Sequence, residues 1–73
     1  MQTLIFNTTL KTVKVLSNYR HTGDVVESFD NVPTVKCSEL GFYEVMQKMD
    51  TESLGVIPVM RLPISNTNMI IVK

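Results

Sequence analysis

Few side chains in this sequence could carry chemistry. Cys37 stands directly before Ser38-Glu39, a pair that reads as the start of a helix. Backbone amides at a helix N-terminus lower a thiol pKa and favour the thiolate nucleophile. Cysteine catalysis also requires a base within hydrogen-bond reach, and His21, the single histidine, is the one candidate. Spacing alone does not join the two, and a lone cysteine more commonly packs as a small hydrophobe. The acidic residues Asp24, Glu27 and Asp30 are too sparse for a calcium loop, and no zinc-ligand spacing is present. The sequence therefore predicts no enzyme, no metal and no cofactor.

Binding chemistry is better represented. Tyr19-Arg20-His21 forms a polar run of the residue types that anchor interfaces, or that stack on a ring and clamp a phosphate. Arg61 is the only charged residue between Gly55 and Lys73, and its planar fork suits a carboxylate or phosphate. Asn66 and Asn68 offer amides that read polar edges, although turns use the same residues to satisfy their own backbone. These six residues, Tyr19, Arg20, His21, Arg61, Asn66 and Asn68, are the expected contact set.

The elements that must position them are read from periodicity. Leu4-Ile5-Phe6 and the alternating Lys11–Leu16 segment predict an N-terminal β-hairpin. Asn7-Thr8-Thr9 matches a glycosylation sequon but sits where the hairpin must turn. Val25–Phe29 reads as a third strand, Asp30–Pro33 as a turn, and Thr34–Cys37 as a short extended piece. A helix is expected over about 39–50, with Ser38 as N-cap. Its apolar stripe is Phe42, Val45, Met46 and Met49, and Glu44 and Lys48 form an ion pair four residues apart. Val56–Ile64, interrupted by Pro58 and Pro63, fits an edge strand or one running to a bulge. Met69–Val72, apolar on both faces, fits a central strand. The expected fold is one α+β domain over residues 1–73: a mostly antiparallel sheet of four to five strands with one amphipathic helix on one face.

Composition limits what this domain can do. The chain has 73 residues, 44% of them hydrophobic, with seven basic and seven acidic side chains and a formal net charge of zero. A core this small rarely supplies more than about 3–5 kcal/mol of net stability. One cysteine cannot close an internal disulfide, so a second subunit is the expected staple, and a homo-oligomer is favoured. Without a basic stripe to displace counterions, nucleic acid is not expected as a partner. The longest apolar run, Met69–Val72, is far too short for a membrane span of ~20 residues. The lone thiol and the lack of a signal-like N-terminus point to the cytoplasm.

The functional expectation is a small non-enzymatic binding protein. It would act as an inhibitor, adaptor or regulatory module through a protein–protein surface. The alternative is an oligomer that sequesters a small anionic, nucleotide-like ligand. In size, neutral charge and want of catalytic groups the chain resembles the small accessory proteins of phages and mobile elements, though no motif carries that resemblance.

Overall fold

The computed structural model describes residues 1–17, 24–50 and 55–73. Seven strands follow one another: β1 (Gln2–Asn7), β2 (Thr12–Leu16), β3 (Val25–Phe29), β4 (Thr34–Cys37), β5 (Phe42–Lys48), β6 (Val56–Pro63) and β7 (Thr67–Val72). A single 3₁₀ turn, Ile64–Asn66, joins the last two. The strands form two sheets, in the orders β3-β2-β1-β7 and β4-β5-β6. Every pairing is antiparallel except β1 with β7, which is parallel.

The expected α+β fold is therefore corrected: the chain is nearly all β, and the predicted helix over about 39–50 is largely strand β5. Phe42, Val45, Met46 and Met49 do fit a helical stripe, but Tyr43-Glu44-Val45 alternates, and Phe, Tyr and Val favour strands. The turn before it decides the matter. Gly41 takes φ +88°, and its amide donates to the Ser38 carbonyl at 3.0 Å. The Ser38 hydroxyl accepts from the Leu40 amide at 3.1 Å. Ser38 thus caps a β4–β5 hairpin turn and not a helix. As a strand, β5 sits between β4 and β6 and satisfies both; as a helix it would leave each of them unpaired.

The second sheet does the covering expected of the helix. One core cluster draws Leu4 and Phe6 from β1, Val13 and Val15 from β2, Val45 from β5 and Leu62 from β6, with Val32 from the β3–β4 crossing. Each such side chain contributes roughly 1.5–3 kcal/mol of burial. Val32 is fully buried, and its amide donates to the Lys11 carbonyl at 2.9 Å. The neighbouring Asn31 carbonyl accepts from the Lys48 amide at 2.8 Å. This corner pins the loop after β1 to the end of β5, so the two sheets close over the same apolar residues.

The N-terminal hairpin forms as its residues dictate. Asn7 Oδ1 accepts from the amides of Thr9 and Leu10 at 3.1 and 3.0 Å, which consumes the sequon asparagine in the turn. Met69–Val72 does not lie centrally: β7 is an edge strand, paired with β1 alone. Its two apolar faces reflect exposure, with Ile71 58% and Val72 39% accessible. No helix among the described residues is long and apolar enough to cross a membrane.

Candidate binding surfaces

Two sheets have four edges, and an open edge is the most general binding surface a β protein owns. Three of the four carry features that discourage pairing. Strand β3 is bulged at Val26, the extra residue between the pairs Val15–Glu27 and Leu16–Val25. By register its Glu27 lies on the core-facing side of the sheet, opposite the buried Val15. Strand β4 is four residues long and carries Lys36. Strand β6 is bulged at Val59, between the pairs Val45–Met60 and Met46–Pro58.

Backbone direction on β6 follows from its neighbours. Phe42 accepts from the Ser38 amide through its carbonyl, so Phe42 faces β4 and its partner Pro63 faces outward. Lys48 donates to Asn31 on the same side, which places Met46 toward β4 and turns Pro58 outward as well. Both prolines thus occupy positions whose nitrogen points away from β5, where an N–H would be offered to solvent. Arg61, between them, is outward-facing too.

Strand β7 has no such feature. It contains no proline, no charged residue and no bulge. The Val72 carbonyl accepts from the Thr8 amide at 2.8 Å, so Val72, and by alternation Ile70 and Asn68, hydrogen-bond to β1. Thr67, Met69 and Ile71 therefore direct their backbone groups to the free side. The Thr67 amide is taken by the Ile64 carbonyl. Among the described residues, the amides and carbonyls of Met69 and Ile71 are left open.

A separate feature lies at the corner of the sandwich. Lys11, Asn31, Pro33 and Lys48 line an open cleft of about 190 Å³. Its lining is mainly apolar; among the described residues two lysines and no carboxylate border it, and neither lysine has an ion-pair partner. Lys11 and Asn31 hold positive φ, +54° and +56°. For lysine this conformation is uncommon, and the cross-loop bonds at Val32 and Lys48 hold it in place.

The described members of the expected contact set, Arg61, Asn66 and Asn68, do not converge on one site. Tyr19, Arg20 and His21 lie outside the described residues. Arg61 is on β6, its side chain 61% accessible, and its Nε donates to Glu44 Oε2 at 3.1 Å. Glu44 and Arg61 are register partners on one face, so the pair replaces the Glu44–Lys48 contact that a helix would have made. Arg61 also borders a shallow hollow of about 380 Å³ with Pro58, Val59 and Met60. Asn66 ends the 3₁₀ turn and Asn68 lies on β7, both exposed. Arg61 and Asn68 belong to different sheets, and no hydrogen bond joins them. Cys37 ends β4 opposite Tyr43, exposed, with a hairpin turn and not a helix after it.

Residue-type reasoning missed both surfaces. The β7 edge is made of backbone atoms and has no side-chain signature beyond its lack of charge. Lys11 and Lys48 are 37 positions apart, the first read at the start of a strand and the second as the helical ion-pair partner of Glu44. No family model, curated protein or solved structure matches this chain.

Proposed function

We propose that the protein is a non-enzymatic binding module whose working surface is the β7 edge, and that it holds an extended polypeptide by strand addition. The observation that carries this reading is the contrast among the four edges: among the described residues, β7 alone combines open N–H and C=O groups with an uncharged, proline-free, unbulged strand. Main-chain hydrogen bonds would supply affinity, and the exposed Ile71 and Val72 would supply apolar contact. Inhibition, adaptation or regulation all remain within reach of such a surface. The test is amide-resolved NMR of the labelled protein titrated with a capped peptide of residues 66–73, against a scrambled control. Shifts concentrated at Met69, Ile71 and the adjoining β1 are expected. Shifts spread evenly, or seated on β6, would refute the reading.

A second reading keeps the anionic ligand but moves it to the Lys11–Lys48 cleft. The two lysines that border this cleft beside Pro33 carry the charge a small phosphate or carboxylate would need. Titration with inorganic phosphate and with a nucleotide panel should raise the melting temperature progressively, with the logarithm of ligand concentration once it exceeds Kd. A flat response, or one unchanged in Lys11→Ala/Lys48→Ala, would end it.

A further inference from the structure

Resting on the reading of β7 as a strand acceptor, we infer that the strand it accepts is β7 of a second copy of this chain, in antiparallel register about a two-fold axis through Ile70. The register follows from which groups are free. With the axis at Ile70, Met69 lies opposite the partner's Ile71, and Ile71 opposite the partner's Met69. These are the two residues whose amides and carbonyls face the open side. Each pair exchanges both of its hydrogen bonds, so every open group on Met69 and Ile71 is satisfied, and the Thr67 carbonyl faces the partner's Lys73. An axis at Met69 would be poorer, because it would ask for the Thr67 amide, which Ile64 already holds.

The side chains suit the same register. Ile70 meets the partner's Ile70 as a non-hydrogen-bonded pair, the closer of the two antiparallel pair types and favourable for β-branched residues. On the other face Ile71, exposed in the single copy, packs on the partner's Met69. Asn68 lies opposite the partner's Val72. No residue of Thr67–Val72 is charged, so no like charges oppose across the axis, and a formal net charge of zero leaves little long-range repulsion between copies. The two four-stranded sheets would join into one continuous sheet with β3 at both ends, the bulged strand that carries Glu27. Closed two-fold pairing consumes the sticky edge and leaves protected ones, so association stops at two.

Cysteine cross-linking tests the register directly. In a Cys37→Ser background, Ile70→Cys brings two thiols to a pair spacing of about 4.5–5.5 Å, within disulfide reach. Asn68→Cys, on the same strand and face, leaves its two thiols roughly 13 Å apart along the strand and should not cross-link. Light scattering of the wild-type chain across a dilution series should give the dimer mass. Ile71→Pro deletes one outward donor in each copy and should weaken association by about tenfold or more, with melting at high dilution little changed. A dimer that is insensitive to Ile71→Pro, or that cross-links at Asn68→Cys and not at Ile70→Cys, overturns the inference. A monomeric wild-type chain whose Met69 and Ile71 amides still respond to the 66–73 peptide overturns it too, while leaving the strand-acceptor reading intact. A monomer that ignores the peptide removes both.

Discussion

The two strands that flank the 3₁₀ turn, β6 and β7, are both edge strands, yet they are built to opposite ends. On β6, prolines occupy two outward-facing positions, a bulge interrupts the run between them, and Arg61 stands on the rim. On β7 the outward positions Met69 and Ile71 keep their amides, the strand is regular, and it has no charge. Six residues of regular, uncharged edge are an aggregation hazard unless something occupies them. The contrast teaches that protection is local and specific: the same short chain blocks one edge and leaves the next one open, and the proposed binding role rests on that difference.

Substitutions can break or sharpen that contrast. The largest effect is expected where a proline is moved by one position on β7. Ile70→Pro removes an amide bonded to β1 and should destabilise by about 3 kcal/mol or more, whereas Ile71→Pro, on the open side, should cost well under half of that; equal losses in urea denaturation would show that the assigned backbone direction is wrong. Next, Pro58→Val with Pro63→Val restores two outward amides to β6. This should create a second adhesive edge, seen by light scattering as species larger than the wild type at the same concentration. An unchanged mass would show that the bulge and Arg61 suffice.

Smaller effects refine the picture. The hydroxyls of Thr3 and Thr67 are buried without a hydrogen-bond partner among the described residues. Thr67→Val should therefore raise stability by about 1 kcal/mol in thermal or urea melts; a loss would reveal a partner for that hydroxyl. The smallest change belongs to β6. The Glu44–Arg61 pair has one partner 61% and the other 19% accessible, so Glu44→Gln should cost only about 0.2–1 kcal/mol, and less in high salt. A larger, salt-independent loss would mean that the pair positions β6 and does more than decorate it.

Much of the strand pattern was legible beforehand. Val13 and Val15 alternate with Thr12 and Lys14, and both valines are core; Pro58 and Pro63 marked an edge, and β6 is one. Residues 42–49 were not legible, because their apolar residues match the helical period, a strand would place them on both of its faces, and it is the Gly41 turn that starts a strand there. Exposure misled at Met69–Val72: an apolar strand reads as buried whether its neighbours come from its own chain or from another. The setting of Arg61 was hidden for a related reason. Its fork was read as suited to an external carboxylate or phosphate, and Glu44 reaches it only once β5 and β6 lie side by side.

The parallel pairing of β1 with β7 closes contacts across 64 positions, the separation between Thr8 and Val72. During synthesis, the first hairpin emerges long before its last neighbour exists. Until then β1 offers its own unoccupied flank, with Leu4 and Phe6 only partly roofed. Ordering so distant a pair makes the final docking slow relative to hairpin formation. A nascent chain therefore passes through an interval in which β1, and not β7, is the exposed flank of this sheet.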